Sequence, residues 1–407
     1  MMALQNIKLP ALSEVVPYYQ PIVSLQTLRV YGYEALGRWL ADGERVQSLG
    51  PFFANPHVRD NEHIQIDRHL RQLAMSHLVA AGGEERLFLN LKPSWIYRTF
   101  RERGRLETLD IIDRAGIDPQ RIVIEITEEE FTSPLQELTE IVELYRERGC
   151  AIAIDDIGSG SSNFDRIALL RPQIMKVDLT IMKKSGTHAG YRSLLQSFSI
   201  LAERVGASLL IEGIETQDDL RGALQAGARY LQGYLFARAE PELQPAGAYA
   251  GLLREEIKRF ANRAIRQQER LQALQEQLHA ALHQAGADGG DAPERGFDAA
   301  DEALAELLAE LPPITQRVYL CREDGYQVSS NFSRRNGGWV REERYRGSNW
   351  SWRPYFISNI VMLKRQRQGT LSQVYTDLDT SLPIQTFSCP YGDKFYLFVD
   401  VGLEAEG

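Results

Sequence analysis

Residues 151–160 read Ala-Ile-Ala-Ile-Asp-Asp-Ile-Gly-Ser-Gly: a short apolar run, two adjacent carboxylates, then a glycine-rich turn. Such a run fits a buried strand, and polar groups at the carboxyl end of a strand are where an α/β barrel assembles its chemistry. The same arrangement recurs in both directions along the chain. Toward the N-terminus, apolar runs close on Glu34, Asn90 and Glu125; toward the C-terminus they close on Lys176, Glu212 and Gln232. The runs themselves are strand-like, as in Phe88-Leu89, Val123-Ile124, Ile174-Met175 and residues 209–211, and segments long enough for helices separate them. Residues 18–23 and 30–36 add two strands with turn chemistry between them. Helical periodicity covers 63–80, 135–148, 191–205 and 218–226. Between Tyr18 and Gln232 this makes about eight strands, the number that closes a (β/α)8 barrel.

Five carboxylates (Glu34, Glu125, Asp155, Asp156 and Glu212), one amide and one lysine would then share one barrel mouth. Their mutual repulsion needs cations to offset it. The pattern therefore predicts a divalent-metal site as well as a fold. Oxygen-only ligands select hard cations such as Mg²⁺ or Mn²⁺ over zinc. Singly, each residue has a duller account: Glu34 a solvated strand end, Asp155-Asp156 a helix N-cap, Lys176 a surface lysine. Asn90, between Leu89 and Leu91, is harder to dismiss, because an unpaired buried amide is costly. All the dull accounts would have to hold together.

The 407 residues suffice for a barrel and a second domain, and 43% hydrophobic with 25% charged residues is ordinary for a globular protein. No apolar stretch approaches a membrane span, and residues 1–10 lack a signal-sequence pattern, so a cytoplasmic protein without membrane insertion is expected. Three widely spaced cysteines, Cys150, Cys321 and Cys389, fit a reducing compartment and small buried hydrophobes. A net charge of −9 argues against a nucleic-acid polymer as partner. A small phosphate ligand stays compatible, since metals supply positive charge locally.

Beyond residue 250 the character changes. Ile257, Phe260, Ala264, Leu271, Leu274, Leu278 and Ala281 follow a 3-4 spacing, which predicts a long amphipathic helix with a coiled-coil seam broken at Gln267. Residues 285–296 are Gly- and Asp-rich with Pro293, a linker, and a short helix over 300–311 stops at Pro312-Pro313. The remainder is β-rich, with strands at 318–320, 327–329, 386–388 and 394–401 and turns at Gly325 and Gly392. The expected organisation is a barrel domain over 1–250, a helical linker over 251–296 and a small α+β domain over 297–407. In the last, Trp350, Trp352, Tyr355 and Phe356 crowd around Arg353. These aromatics read either as the core of a small domain or as a ligand pocket in which Arg353 pairs with an anion. The His279/His283 pair, one helical turn apart, lacks Glu or Cys partners and reads as a solvated face.

The stretch Tyr33-Glu34-Ala35-Leu36-Gly37-Arg38 resembles the signature of EAL domains, which hydrolyse the bacterial second messenger cyclic di-GMP. The remaining motifs appear in order: Tyr-Gln20-Pro-Ile, Leu-Asn90-Leu, Glu125-Ile-Thr-Glu128, Asp155-Asp156-Ile-Gly-Ser-Gly, Lys176-Val-Asp178, Glu212-Gly-Ile-Glu215 and Gln232-Gly-Tyr. Together they cover residues 15–240. The resemblance implies two cations per site. One is held by Glu34, Asn90, Glu125 and Asp155, the other by Asp155, Asp156 and Glu212. It also implies that Lys176 stands beside the attacking water, that Glu128 braces the loop after Asp156, and that Gln20, Arg38 and Gln232 touch the substrate. Glu34 and Lys176 are then catalytic, with Glu128 in support. A homodimer paired through the loop and helix after Asp156 is implied too. The C-terminal region resembles the PAS-like or Cache-like sensor domains of some EAL proteins from Gram-positive bacteria, with its ligand unspecified.

The chain departs from the family at two places. The loop after Asp156 usually reads Phe-Gly-Thr-Gly-Tyr and here reads Ile157-Gly-Ser-Gly-Ser161; the hydroxyl and both glycines survive, while an aromatic surface is lost. Residues 49–63, commonly Phe-Ile-Pro…Ala-Glu, here contain Gly-Pro-Phe-Phe-Ala-Asn-Pro-His. No Gly-Gly-Asp-Glu-Phe motif occurs, so synthesis of the messenger is not supported. The expected activity is metal-dependent opening of cyclic di-GMP to pGpG. The alternative is a receptor that binds the messenger in the same pocket without appreciable turnover. An unrelated barrel enzyme, a glycosidase or an enolase-like lyase using Lys176 as base, fits less well, because neither explains Asp155 beside Asp156 together with Asn90.

Overall fold

Nine strands of the N-terminal half, β1 (Val15–Ser24), β2 (Arg29–Ala41), β3 (Arg45–Ser48), β4 (Arg86–Leu91), β5 (Ile122–Ile126), β6 (Ala151–Ile154), β7 (Ile174–Val177), β8 (Ser208–Ile211) and β9 (Tyr230–Gln232), form one sheet. Their order is β1-β9-β8-β7-β6-β5-β4-β2-β3, and a further β1–β2 pairing closes the ring. With β3 outside the ring, eight strands make the barrel, as the strand–helix alternation predicts. This computed structural model describes residues 9–41, 45–126, 135–157, 163–178, 189–284, 292–366 and 369–402.

One strand departs from simple eightfold alternation. β1 runs antiparallel to both neighbours, with Gln20 opposite Glu34 on β2 and Ile22 opposite Gln232 on β9. The link from β1 to β2 is residues 25–28, with Leu28 at a positive φ of 57°. Four residues can turn a hairpin but cannot carry the crossover that parallel neighbours require. The other ring pairings, β2–β4 through β8–β9, are parallel.

The helices described around the barrel are α1 (Gly50–Phe53), α2 (Asp60–Ala81), α3 (Pro93–Arg103), α4 (Glu107–Ala115), α5 (Leu135–Glu147), α6 (Asn163–Leu170), α7 (Ala189–Val205) and α8 (Gln217–Gln225). Their apolar faces, including Leu78, Ile112, Ile141 and Phe198, join strand residues such as Leu89, Ile124, Ile152 and Ile211 in the large core cluster. A second, smaller cluster takes one residue from each of seven ring strands: Ile22, Phe88, Val123, Ala153, Ile174, Leu210 and Tyr230. The pleat alternates faces, so the strand residues of the two clusters interleave. At β2 the corresponding position is Gly32, where a Cβ would stand 2.6 Å from the Arg86 carbonyl oxygen. A side chain there would force the β2–β4 pair apart.

The chain divides into two compact units, residues 1–261 and 262–407, inside the long helix α9 (Ala250–Gln284). The second unit holds β10 (Thr315–Arg322), β11 (Asn331–Arg335), β12 (Gly338–Glu342), β13 (Thr370–Leu371), β14 (Tyr375–Thr376), β15 (Pro383–Tyr391) and β16 (Phe395–Gly402). Their order is β12-β11-β10-β16-β15-β13, with β14 on β15, and the pairings are antiparallel. Both faces of the sheet are covered. On one, Leu278 and Leu282 of α9 and Leu304 and Leu307 of α10 (Phe297–Leu307) pack on Val318, Leu320, Leu397 and Val399. On the other, Phe356, Ile360 and Leu363 of α11 (Phe356–Gln366) pack on Tyr319, Cys321 and Phe398.

Three expectations need correction. Residues 327–329 make no strand but a single bridge, Cys321 to Gln327, because Gln327 pairs its backbone with Gly347 and Ser348 and turns its side-chain amide to Ser329 and Asn331. The helix expected over 300–311 runs Phe297–Leu307, ending before the proline pair. The long helix carries no continuous seam. Residues 261–270 are exposed on every side, whereas Leu278 and Leu282 lie in the second unit's own core. Cys150, Cys321 and Cys389 are buried, and among the described residues none forms a disulfide. Among the described residues no helix is long and apolar enough to cross a membrane.

Leu278 is fully buried in that core. Truncating it leaves a cavity, so Leu278→Ala should lower the stability of the second unit by about 2–5 kcal/mol in urea titration. A change below about 0.5 kcal/mol would mean that the leucine faces solvent instead.

Candidate active site

Six of the residues expected at the barrel mouth lie two positions beyond an apolar residue of the smaller core cluster. Asn90 follows Phe88, Glu125 follows Val123, Asp155 follows Ala153, Lys176 follows Ile174, Glu212 follows Leu210 and Gln232 follows Tyr230. Glu34 stands two beyond Gly32. On the reversed strand β1 the spacing runs the other way, from Ile22 back to Gln20. A step of two keeps the side chain on the same face of the pleat and moves it along the strand to the rim.

Lys176 stands at the centre of this ring. Its side chain is 1% exposed, and Nζ lies 2.6 Å from Glu212 Oε1, 2.7 Å from Glu125 Oε1, 3.3 Å from Asp155 Oδ1 and 3.8 Å from Glu34 Oε2. Amide donors complete the arrangement. Asn90 Nδ2 donates to Glu34 Oε1 at 2.6 Å, and Gln232 Nε2 donates to Glu34 Oε2 at 2.6 Å and to Gln20 Oε1 at 3.2 Å. Gln20 Nε2 donates onward to the Ala237 carbonyl at 3.3 Å.

Four carboxylates against one ammonium leave three negative charges uncompensated. At separations near 4 Å each like-charge pair costs on the order of 1–4 kcal/mol. The titration behaviour reflects this. Burial, reinforced by the neighbouring carboxylates and only partly offset by Lys176, holds Glu125 well above the usual carboxylate range. Burial likewise pushes Glu212 up to about 8, with Asp155 and Glu34 adding to the shift. For Lys176, burial pulls the other way, but Glu125, Glu212, Glu34 and Asp155 outweigh it and hold the ammonium well above its ordinary value. Glu125 Oε2 is buried and accepts no hydrogen bond among the described residues. An oxygen-rich set short of donors and of positive charge fits a hard divalent cation. Among the described residues, however, no three Asp, Glu, His or Cys groups form a ready-made cation cage. The carboxylates instead point to the ammonium.

The remaining expected residues lie apart from this cluster. Asp156 is exposed and left-handed, with φ 54°, and its amide donates to Asp155 Oδ1 at 3.0 Å. That conformation turns the chain sharply away after β6, while the Ile157 amide returns to the Lys176 carbonyl at 3.0 Å. Arg38 points along β2, donating to the Gly37 carbonyl at 3.0 Å with its guanidinium 5.5 Å from the centre of the Tyr18 ring. Glu128 and the loop 158–162 lie outside the described residues.

Sequence reasoning missed a second wall. A cleft of about 230 Å³ beside Asn90 is lined by Arg38, Leu49, Phe53, Lys92 and Trp95, among others. Lys92 Nζ sits 4.6 Å from the Trp95 ring centre and donates to the Phe53 carbonyl at 3.1 Å. His63 stacks on Trp95 at 5.5 Å, its Nε2 2.8 Å from the Phe52 carbonyl oxygen. The divergent segment 49–63 thus supplies Phe52, Phe53 and His63 as an aromatic brace for the cleft. Lys92-Pro93-Ser94-Trp95, directly after a strand ending in Asn90-Leu91 and with Pro at the start of α3, was the available signal.

The EAL domain family matches residues 4–239, and an EAL-domain associated signalling protein domain matches residues 247–405. The chain is 35% identical over 390 residues to YkuI of Bacillus subtilis, an uncharacterised EAL-domain containing protein, covering 96% of this chain and 95% of YkuI. The crystal structure of that protein in complex with substrate c-di-GMP and calcium superposes with a TM-score of 0.88 at 34% identity, covering 97% of this chain and 98% of that one. The cyclic di-GMP phosphodiesterase RocR of Pseudomonas aeruginosa is 29% identical over 252 residues, 58% of this chain and 62% of RocR. A standalone EAL protein of Vibrio cholerae, in its c-di-GMP-bound form, is 27% identical with a TM-score of 0.52, covering 58% of this chain and 97% of that one.

Removing the central ammonium isolates the test of this electrostatic picture. Lys176→Met should cost the chelator-treated protein about 3–5 kcal/mol, the usual penalty for breaking a buried ion pair, and Mn²⁺ should restore most of it. Calorimetry with and without Mn²⁺ reads both effects. A variant as stable as the parent without metal would contradict the charge imbalance.

Proposed function

This chain belongs to the EAL domain family, and on that premise we propose that its barrel hydrolyses cyclic di-GMP to linear pGpG with Mg²⁺ or Mn²⁺ in the site. The observation that carries the reading is the convergence of Glu34, Asn90, Glu125, Asp155 and Glu212 on one rim with a buried lysine at its centre. In this proposal Glu34, Asn90, Glu125 and Asp155 hold one cation and Asp155, Asp156 and Glu212 the other. Bound there, such cations lower the pKa of water and offset the charge that builds on the phosphoryl oxygens.

The chain's own groups do the rest. The surrounding carboxylates favour the charged form of Lys176. It acts as a fixed donor that orients the attacking water and the phosphoryl oxygen. Water forms a new bond to phosphorus as one bond from phosphorus to a ribose oxygen breaks; its proton ends on that oxygen, and the ring opens without redox change. Gln20 and Gln232, linked through their amides, and Arg38 are the proposed substrate contacts. Arg38 has no carboxylate within ion-pair distance among the described residues and lines the cleft beside Asn90, which suits a phosphate or a base carbonyl. Glu128 is proposed to brace the loop after Asp156.

A receptor is the second reading, favoured by one observation: the ammonium already gathers four carboxylates, so binding without turnover needs no cation to hold them. Pairing of two copies belongs to the same proposal and is supported by Phe164, 67% exposed on α6 just after the Asp156 loop.

Incubation with cyclic di-GMP and Mn²⁺ or Mg²⁺ should yield pGpG by chromatography, with chelator or Glu34→Ala reducing it to background. Tight binding without product in either metal selects the receptor instead. Phe164→Asp should halve the mass seen by light scattering. A parent protein that is already monomeric removes the dimer.

A further inference from the structure

The second unit contains a cavity of about 80 Å³ between the sheet and the segment leading into α11. Two guanidiniums, of Arg317 and Arg353, and three carboxylates, of Asp377, Asp379 and Asp400, line it. Arg317 is committed. It forms a two-pronged pair with Asp377, at 2.9 and 3.1 Å, and reaches Asp400 Oδ2 at 3.2 Å. Arg353 is not. Its guanidinium has no hydrogen-bond or ion-pair partner among the described residues and is held against rings, 4.6 Å from the centre of Trp352, 5.2 Å from Tyr375 and 5.9 Å from Trp350. Cancelling Arg317 against Asp377 leaves one positive group, Arg353, and two negative ones, Asp379 and Asp400.

Asp400 is 1% exposed and takes Thr386 Oγ1 at 2.7 Å besides Arg317. Asp379 is 42% exposed; it accepts from the Tyr345 hydroxyl at 2.8 Å and lies 3.5 Å from Arg317. A bare anion drawn to Arg353 would meet these two carboxylates, and a bare amine would leave Arg353 without a partner. A dry cavity of about 150 Å³ takes benzene, so one about half that size seats only a ligand smaller than benzene, of the order of glycine, and no nucleotide.

We propose that this cavity binds a small zwitterion, its carboxylate on Arg353 and its ammonium on Asp379 and Asp400. The aromatic rings fix the guanidinium before the ligand arrives, which reduces the ordering that binding requires. Trp352, 60% exposed, lies against the Arg353 guanidinium rather than in the core, unlike Phe356. This site is independent of the barrel's chemistry, so the result stands whether or not the barrel turns over cyclic di-GMP.

The experiment is isothermal titration of the full chain with glycine, L-alanine, L-serine and β-alanine, against propionate and propylamine as the single-charge controls. At least one zwitterion should give saturable binding that neither control reproduces at ten times the concentration. Arg353→Gln should weaken it at least about tenfold, and Asp379→Asn, at an exposed position that tolerates substitution, by a similar factor. If Arg353→Gln fails to fold, Asp379→Asn decides. No heat from any zwitterion at about 10 mM, equal binding of propionate, or unchanged affinity in Asp379→Asn would each overturn the assignment.

Discussion

Carboxylates brought together at a barrel rim repel one another, and the chain answers that repulsion with the single ammonium of Lys176. Glu34, Glu125, Asp155 and Glu212 reach it from four different strands or strand ends. One lysine cannot neutralise four acids. Burial, with the neighbouring carboxylates adding to it, raises Glu125 and Glu212, and an oxygen of Glu125 lies buried without a donor among the described residues. A site left short of positive charge in this way suits a hard cation.

That arrangement depends on the barrel's inner packing. The residues beneath the rim are apolar, and the pleat carries each strand's next inward position to the mouth. The placement of the rim residues and the core packing are therefore set by the same register. A one-residue slip in any strand would turn its polar group into the outer core and an apolar residue into the site. The reversed β1 obeys the same rule in mirror order, so Gln20 meets Glu34 across the β1–β2 pair and Gln232 across the barrel's closing edge.

The second unit solves a different problem. Its sheet is covered on both faces, so β15 and β16 are buried nearly throughout, β16 at every residue, while the edge strand β12 stays largely exposed. Polar groups in such a core must be paired, and Arg317 with Asp377 and Asp400 does this within the sheet. Arg353 is the cation that this network does not use. The long helix contributes Leu278 and Leu282 to that core, and its fully solvated middle lies where the two units divide.

The sequence by itself determined the number of barrel strands, their carboxyl-end polar residues and the split between a barrel and a β-rich unit. These follow from local rules: apolar runs of strand length, residues that stop them, and a change in periodicity after residue 250. It did not determine the antiparallel β1, the lysine at the centre of the acids, the aromatic brace from Phe52, His63 and Trp95, or the charge pattern around Arg353. Apart from the β1–β2 hairpin, which a four-residue link imposes, these join residues far apart in the chain, such as Glu34 with Lys176 or Arg317 with Asp400. Spacing along a strand says which face a side chain takes, but the partner it meets there is chosen when the sheet closes.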